Sequence, residues 1–175
     1  MFEIPIIPNA PLSSTDAPDD FGPFQLRKNL ETGLIENFLF DEARIVYDEN
    51  YQNSQAVSGL FKDHMREVLG LLKAAYPKGA RLVEVGCGKG DFIDLAEEDG
   101  WFNLKGYDAT YDGDHPEIEK RFLDAGDRID ADIVVLRHVL EHIRKPHAFL
   151  EMLRHIFVDS DIYIEVPDFD WIIGN

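Results

Sequence analysis

A glycine-rich turn between two apolar segments is the strongest chemical signal in this sequence. Residues 83–92 read Val-Glu-Val-Gly-Cys-Gly-Lys-Gly-Asp-Phe, and a helical pattern follows them. Glycine permits a positive φ and lacks a Cβ, so the chain can turn sharply while its backbone approaches a ligand closely. The amide groups at the start of the following helix would face that ligand. The pattern indicates a binding loop, although glycine turns also join strands to helices for packing alone.

Two carboxylates near this loop strengthen the binding interpretation. Glu84 lies inside the strand before the loop, where a charge is costly unless it has partners. Asp108 ends the next strand, where an acidic residue accepts hydrogen bonds from ribose hydroxyls in nucleotide-binding sheets. The alternative for Asp108 is a turn residue, because Asp112, Gly113 and Asp114 follow closely.

The spacing of the glycines discriminates between nucleotide ligands. The dinucleotide fingerprint is G-x-G-x-x-G, whereas the third glycine here, Gly90, comes one residue earlier. This spacing disfavours an NAD-dependent oxidoreductase. The loop is not a P-loop either, because no Gly-Lys-Ser/Thr follows.

A second pattern, His138-Val-Leu-Glu141-His142, matches the H-x-x-E-H signature of one class of zinc peptidases. On a helix, His138 and His142 would lie on one face and could share a zinc ion. A third ligand, usually a carboxylate well downstream, is needed, and little sequence remains for it. We therefore expect no metal site.

The elements that would position these residues alternate between strand and helix, which is typical of an α/β, doubly wound and mostly parallel sheet. Residues 1–22 are expected to form an irregular arm, and Gly33 suits the turn of a short hairpin. We expect an N-terminal arm and lid-like segment over residues 1–57 and a ligand-binding domain over 58–175. Helices are predicted at 58–76, 92–98 and 147–157, and strands at 82–85, 104–107, 122–123, 133–136 and 162–166.

The composition sets further limits. The 175 residues carry a formal net charge of −17, and such a surface repels phosphate backbones, so we expect no nucleic-acid partner and no binding to acidic membranes. The prolines near the start argue against a signal peptide, and a cytoplasmic location is expected. The single cysteine, Cys87, excludes an internal disulfide and a multi-cysteine zinc site within this sequence.

Several segments together resemble the class I methyltransferases that use S-adenosyl-L-methionine (SAM), and especially a bacterial branch that includes sugar C-methyltransferases. Residues 84–92 look like motif I of that family, and 106–108 look like its second motif. Residues 137–143 resemble the segment that follows its fourth strand, and residues 165–168 resemble the end of its fifth strand. A tyrosine-rich stretch like residues 47–55 precedes the domain in this branch. The resemblance implies a Rossmann-like fold, SAM as cofactor, and a small-molecule methyl acceptor such as a nucleotide-linked sugar.

The resemblance also implies roles for individual residues. Gly86, Gly88 and Gly90 would let the backbone pass close to the methionine part of SAM, and Glu84 would orient the loop and the amino group of SAM. Cys87 and Phe92 would also bind the cofactor. Asp108 would hold the ribose, and Ala109, Leu123 and Asp124 would flank the adenine. Arg137 and His138 would sit near the sulfonium and the acceptor, with His138 either the catalytic base or a contact of the cofactor. Tyr51 and Gln55 would close over the cofactor.

The sequence departs from this family in two ways. It lacks the cysteine-rich zinc module with which the sugar C-methyltransferases begin, and it stops soon after the fifth strand, whereas the usual sheet has two more. We therefore interpret the fold as incomplete at its C-terminus, in a truncated or a naturally short protein. The alternative function is a non-catalytic SAM-binding or interaction module. Without its usual neighbours, the strand at 162–166 is expected to form a homodimer through its exposed edge, or to be covered by the N-terminal arm.

Overall fold

The second of two structural units carries the fold that positions the predicted site. The computed structural model describes residues 2–5, 21–44, 54, 56 and 58–168. The chain divides into the units Met1–Asn53 and Ser54–Asn175. The lid-like role assigned to residues 1–57 stays a prediction.

The first unit contains two antiparallel strand pairs. β1 (Phe2–Pro5) pairs with β2 (Phe21–Phe24), and β3 (Leu26–Lys28) pairs with β4 (Ile35–Asn37). The second pair confirms the predicted hairpin, with Gly33 in its turn at a φ of +78°. The first pair corrects the expectation of an irregular arm for residues 2–5, 21 and 22, while residues 6–20 of that arm lie outside the described residues. Proline is tolerated in this pair because both of its strands are edge strands.

The second unit alternates helices and strands. In chain order these are α1 (Gly59–Ala75), β5 (Arg81–Val85), α2 (Asp91–Asp99), β6 (Asn103–Tyr107), β7 (Ile118–Glu119), β8 (Ile133–Arg137), α3 (Pro146–Ile156) and β9 (Asp161–Glu165). The hydroxyl of Ser58 caps α1 by accepting a hydrogen bond from the Phe61 N–H. All three helices match the predicted ones to within about one residue at each end. None of the helices in the described part of the chain has the length and hydropathy needed to span a bilayer.

The third strand of the sheet lies earlier than predicted. The expected strand at 122–123 is wrong, because β7 comprises Ile118 and Glu119 and the side chain of Phe122 is 82% exposed. Ile118 pairs with Gly106 of β6 and is buried against Cys87 and Tyr111. Burial of this single apolar side chain fixes the strand, whereas Phe122 lies outside the core.

The five strands of the second unit form one parallel sheet in the order β7-β6-β5-β8-β9. The chain moves outward from β5 on one side and then returns to add β8 on the other. The carboxyl ends of the strands, at Val85, Tyr107, Arg137 and Glu165, therefore meet at one edge, and the order reverses between β5 and β8. This confirms the predicted doubly wound α/β fold, in which ligands bind at such a switch point.

Both faces of the sheet are buried, which explains why its central strands are almost continuously apolar. On one face, Leu82, Ile133 and Val135 pack with α1 and α2. On the other face, Val83, Val134 and Leu136 pack with α3. Fully burying an aliphatic side chain of this kind stabilises the fold by about 1.5–3 kcal/mol. The core thus holds the carboxyl ends of β5 and β8 rigidly side by side.

Candidate functional site

The glycine loop that joins β5 to α2 has a backbone that needs its glycines. Gly86, Gly88 and Gly90 have φ values of +77°, +58° and +89°, in the region that favours glycine. A Cβ at Gly86 would collide with the side chain of Val139, and one at Gly90 would lie 2.7 Å from Ile118 Cδ1. At these two positions the protein's own side chains use the space, so packing is part of the reason for the glycines.

The backbone N–H groups of the three glycines are already donated within the protein. Those of Gly86 and Gly90 go to the carbonyl oxygens of Tyr107 and Cys87, at 2.7 and 2.9 Å. That of Gly88 goes to Asp108 Oδ2 at 2.8 Å. These three amides are therefore not available as donors to a phosphate group.

Asp108 lies directly after β6 and is half-buried beside the loop. Its Oδ2 accepts the hydrogen bond from Gly88, and its Oδ1 accepts bonds from the N–H and the hydroxyl of Thr110, both at 2.7 Å. A carboxylate has about four lone-pair sites, so Asp108 keeps acceptor capacity for a ligand. It is both a turn residue and a group at the site, and Ala109 follows it in the same turn. The ribose role of Asp108 stays a prediction.

The loop after β7 contains Leu123 and Asp124. Leu123 is half-buried against the cluster that includes Val85 and Tyr107, at the carboxyl ends of β5 and β6. Asp124 is exposed, and its carboxylate accepts a hydrogen bond from Gly126 N at 2.7 Å. Leu123 thus packs on the α3 face of the sheet, while Asp124 shapes a surface turn. Their adenine contacts stay predictions.

Glu84 and Arg137 form a buried pair where β5 and β8 end. They are 2% and 8% exposed, and Arg137 Nη1 lies 3.9 Å from Glu84 Oε1. Burial raises the pKa of Glu84 to about 8, although the positive charge of Arg137 opposes the shift. Glu84 Oε2 and Arg137 Nη2 have no hydrogen-bond partner within the described ranges. Buried polar groups left in this way call for a partner, which water or a ligand can supply.

The rings of Phe61 and Phe92 support Arg137. Its guanidinium carbon lies 4.9 Å from the ring centroid of Phe92 and 5.5 Å from that of Phe61. Phe92 is 1% exposed, and Cys87 is also buried, against Ile93. Phe92 and Cys87 therefore belong to the wall beneath the site, and their predicted contacts with a cofactor stay untested.

His138 follows β8 with a φ of +54°, which is uncommon outside glycine. Its Nδ1 lies 3.6 Å from Glu141 Oε1, and its Nε2 lies 2.9 Å from Glu165 Oε1. The second contact is a close ion pair whose angles do not meet the criteria for a hydrogen bond. Interaction with Glu141 and Glu165 raises the pKa of His138 to about 9, against the opposing effect of burial. His138 is therefore a cation at neutral pH. This charge favours the contact role over the role of a base, which needs a neutral imidazole.

The sequence analysis missed Glu165 as a member of this site, together with His64 of α1. Glu165 Oε1 lies 3.1 Å from His64 Nε2, and Glu165 Oε2 lies 3.5 Å from Arg137 Nε. Burial alone would raise the pKa of Glu165, but His138, Arg137 and His64 outweigh it and lower the pKa to about 2. The sequence feature that marks Glu165 is its position as a charged residue at the end of the apolar run of β9. His64 gave no signal, because its contact joins segments far apart in the chain.

The zinc pattern does not form the helix that it needs. Leu140–His142 is a short 3₁₀ turn, and His138 precedes it with a positive φ, so His138 and His142 do not share a helical face. Across residues 2–5, 21–44, 54, 56 and 58–168, no group of three or more His, Cys, Asp or Glu side chains is placed to hold a metal ion. Tyr51 and Gln55, the predicted closing residues, lie outside the described residues.

A separate depression of about 480 Å³ lies at the opposite edge of the sheet. Its lining includes Pro77, Ala80 and Asp132, which precede the amino ends of β5 and β8. Ligands of doubly wound sheets bind at the carboxyl ends of the strands. The edge with Glu84 and Asp108 is therefore the candidate site.

Comparison with solved structures gives distant relatives. A chain in the complex between the Trm112 methyltransferase activator of Haloferax volcanii and a provisionally described methyltransferase is 17% identical, with a TM-score of 0.51, over 70% of this chain and 62% of that one. A structure from Anabaena variabilis, provisionally described as a methyltransferase from an antibiotic biosynthesis pathway, is 17% identical, with a TM-score of 0.47, over 58% of this chain and 44% of that one. This chain thus spans less than two thirds of either neighbour. The likeness to the chain from the Haloferax volcanii complex supports the fold alone. Comparison with curated proteins found no match.

A comparison with protein families is more decisive. The family described as a methyltransferase domain matches residues 57–172, which is most of the chain and includes the whole five-stranded sheet. The match contains the glycine loop, Asp108 and the buried charges at the ends of β8 and β9. The chain belongs to the methyltransferase domain family.

Proposed function

We propose that this chain binds SAM at the carboxyl ends of β5, β6 and β8 and transfers its methyl group to a small-molecule acceptor. The observation that carries the proposal is buried Glu84, whose Oε2 has no hydrogen-bond partner in the described part of the chain. Beside it, the loop amides of Gly86, Gly88 and Gly90 are already donated. Such a site offers an acceptor to a cationic amino group and few donors to a pyrophosphate, which favours SAM over NAD.

We assign the residues of this edge to the parts of SAM as the sequence resemblance implies. Glu84 and the glycine loop would hold the methionine part, and Asp108 would accept hydrogen bonds from the ribose. Ala109, Leu123 and Asp124 would flank the adenine. Arg137 and His138 would lie towards the reacting end. A cationic amino group beside Glu84 would lower the raised pKa of this carboxyl group and favour its charged form.

When bound, SAM would supply a methyl group on a positively charged sulfur: the acceptor atom would attack the methyl carbon in line, the bond from carbon to sulfur would break, and S-adenosylhomocysteine would leave. The contribution of the protein is then largely orientation, which is worth roughly 7–11 kcal/mol at most. The rigid junction between β5 and β8 and the fixed position of His138 suit that task. We further propose that the acceptor is a small molecule such as a nucleotide-linked sugar.

The test is the formation of S-adenosylhomocysteine from SAM with a panel of acceptors that includes nucleotide-linked sugars. Wild-type protein should form it with at least one acceptor, and Glu84→Gln should reduce both SAM binding and turnover. Glu98→Gln, at an exposed position near the end of α2, is the matched control. SAM binding without turnover on any acceptor would instead support the non-catalytic alternative, and no SAM binding would refute both.

A further inference from the structure

The charged side chains that converge on Glu165 form the strongest cluster without an assigned role. They come from three elements: His64 from the first turns of α1, Arg137 from the end of β8, and His138 from the residue after it. Their nitrogens lie 3.1, 3.5 and 2.9 Å from the Glu165 carboxylate. The side chain of Glu165 is only 12% exposed, so water screens these contacts weakly.

Glu165 also holds its neighbours through the backbone. Arg137 and Glu165 are partners in the register of β8 and β9, and the N–H of His138 donates to the Glu165 carbonyl oxygen at 2.9 Å. His138 has the positive φ that bulky residues rarely adopt, and such a conformation persists only where its surroundings over-determine it. Side-chain and backbone contacts to one residue supply that constraint.

We propose that Glu165 is a positioning residue for methyl transfer, whose carboxylate fixes Arg137 and His138 at the carboxyl edge of the sheet and ties both to His64 of α1. The inference rests on the proposed function, because this edge matters to the reaction only if SAM binds there. Glu165 acts through His138 and Arg137 and needs no contact with SAM or the acceptor.

Several groups face His138, and the test must separate them. Glu141 lies in the 3₁₀ turn and Glu165 on β9, Arg137 adjoins on β8, and α1 presents His64 and Phe61, whose ring centroid is 5.6 Å from that of His138. Glu165→Gln keeps the shape of the side chain and removes its charge. If Glu165 holds His138 as a cation, this change should lower the pKa of His138 from about 9 towards its ordinary value of about 6.5.

Asp161→Asn provides a matched control. Asp161 begins β9, at the far end of the strand from Glu165, and accepts a hydrogen bond from the hydroxyl of Tyr76, the residue that caps α1. It therefore also links β9 to α1, but away from the site. A general loosening between the strand and the helix would affect both variants, whereas loss of positioning would affect only Glu165→Gln.

The first measurement is an NMR titration of the histidine side chains in wild type, Glu165→Gln and Asp161→Asn. We expect a lowered pKa of His138 in Glu165→Gln alone. The second measurement compares SAM affinity with turnover at saturating SAM. Turnover should fall by about tenfold to a hundredfold, as expected for lost orientation, with a smaller change in affinity.

An unchanged pKa of His138 in folded Glu165→Gln, or unchanged turnover, would overturn the proposal. If that variant does not fold, Glu165→Asp keeps the charge and shortens the side chain, and it should lower the pKa of His138 partway; no change there would overturn the proposal equally. Absence of SAM binding to the wild type, with the titration behaving as expected, would refute the proposed function and with it a role in methyl transfer. A negative result for the positioning role, seen in the titration, can thus be distinguished from a negative result for SAM binding, seen in the binding assay.

Discussion

Asp108 Oδ2 accepts a hydrogen bond from the backbone N–H of Gly88 at 2.8 Å, so the acidic residue after β6 is fastened to the glycine loop after β5. The two sequence motifs are therefore one structural unit. The loop conformation and the position of the carboxylate depend on each other, which affects how a substitution at Asp108 must be interpreted.

Asp108→Ala should weaken SAM binding, because it removes charge-assisted hydrogen bonds, each worth about 1.5–3 kcal/mol. It should also lower the melting temperature, since Gly88 and Thr110 lose their acceptor. Calorimetric titration and thermal unfolding measure the two effects. Asp112→Asn, at an exposed acid that pairs with Lys89 at 2.8 Å, controls for charge and should change affinity little. Equal affinity of Asp108→Ala and wild type would show that the ribose is held elsewhere.

Gly86→Ala should destabilise the fold through two separate costs. An alanine at a φ of +77° costs about 1–2 kcal/mol, and overpacking against Val139 adds about 1–3 kcal/mol. Gly79→Ala has a φ of +88° with open space around its Cβ, so it should show only the first cost. Urea unfolding measures both, and the double variant Gly86→Ala/Val139→Ala should regain part of the loss. Equal costs at the two glycines would contradict the packing of Val139 against the loop.

The raised pKa of His138 predicts a stability that falls in alkali. Its ordinary value of 6.5 is raised to about 9 in the folded protein, so its contribution is full below pH 6.5 and is lost as the pH rises through 9. The free energy of unfolding should therefore decrease less between pH 6 and pH 10 in His138→Gln than in the wild type. The raised pKa of Glu84 also makes the free energy of unfolding fall as the pH rises from about 4.5 to 8. This effect is present in both proteins, so it cancels when their stability curves are compared. Parallel stability curves would show that His138 is not held as a cation.

Within the described residues no strand pairs with the outer side of β9, and this edge favours self-association. β9 is the outermost strand of the described sheet on its side, and Ile164 and Val166 are 40% and 49% exposed. Unpaired backbone groups on an apolar edge invite another strand, so we propose a two-fold dimer through residues 162–166. Ile164→Lys should weaken it in sedimentation experiments. A monomer at every concentration, with rapid hydrogen exchange along this strand, would contradict the dimer.

Much of the fold could be predicted from local patterns. The strands β5, β8 and β9 contain apolar runs bounded by turn residues, β6 lies between turn signals, and α1 has a clear apolar face, so each is visible within its own segment. β7 was misplaced because a strand of two residues has no period, and only its pairing with Gly106 reveals it. The pairing of β1 with β2 joins residues about twenty apart, which no local pattern encodes.

The residues of the site likewise divide into those that local sequence patterns predict and those that only the fold brings together. Glu84, Gly86, Gly88, Gly90 and Asp108 were singled out because the chemistry needs their types at a short spacing. The charge of His138 depends on Glu141, three residues away, and on Glu165, and the second contact could not be predicted because Glu165 is distant in sequence and near in space. For the same reason the packing of Val139 against Gly86 was invisible in the sequence.

SAM binding by the wild-type chain, measured by isothermal titration calorimetry, tests the central claim most directly. The account predicts saturable binding of SAM or S-adenosylhomocysteine that is tighter than binding of NAD. It also predicts a rise in melting temperature, because a ligand at a hundredfold excess over its dissociation constant stabilises the folded state by about 2.7 kcal/mol. A flat titration with folded protein, or tighter binding of NAD than of SAM, would contradict it.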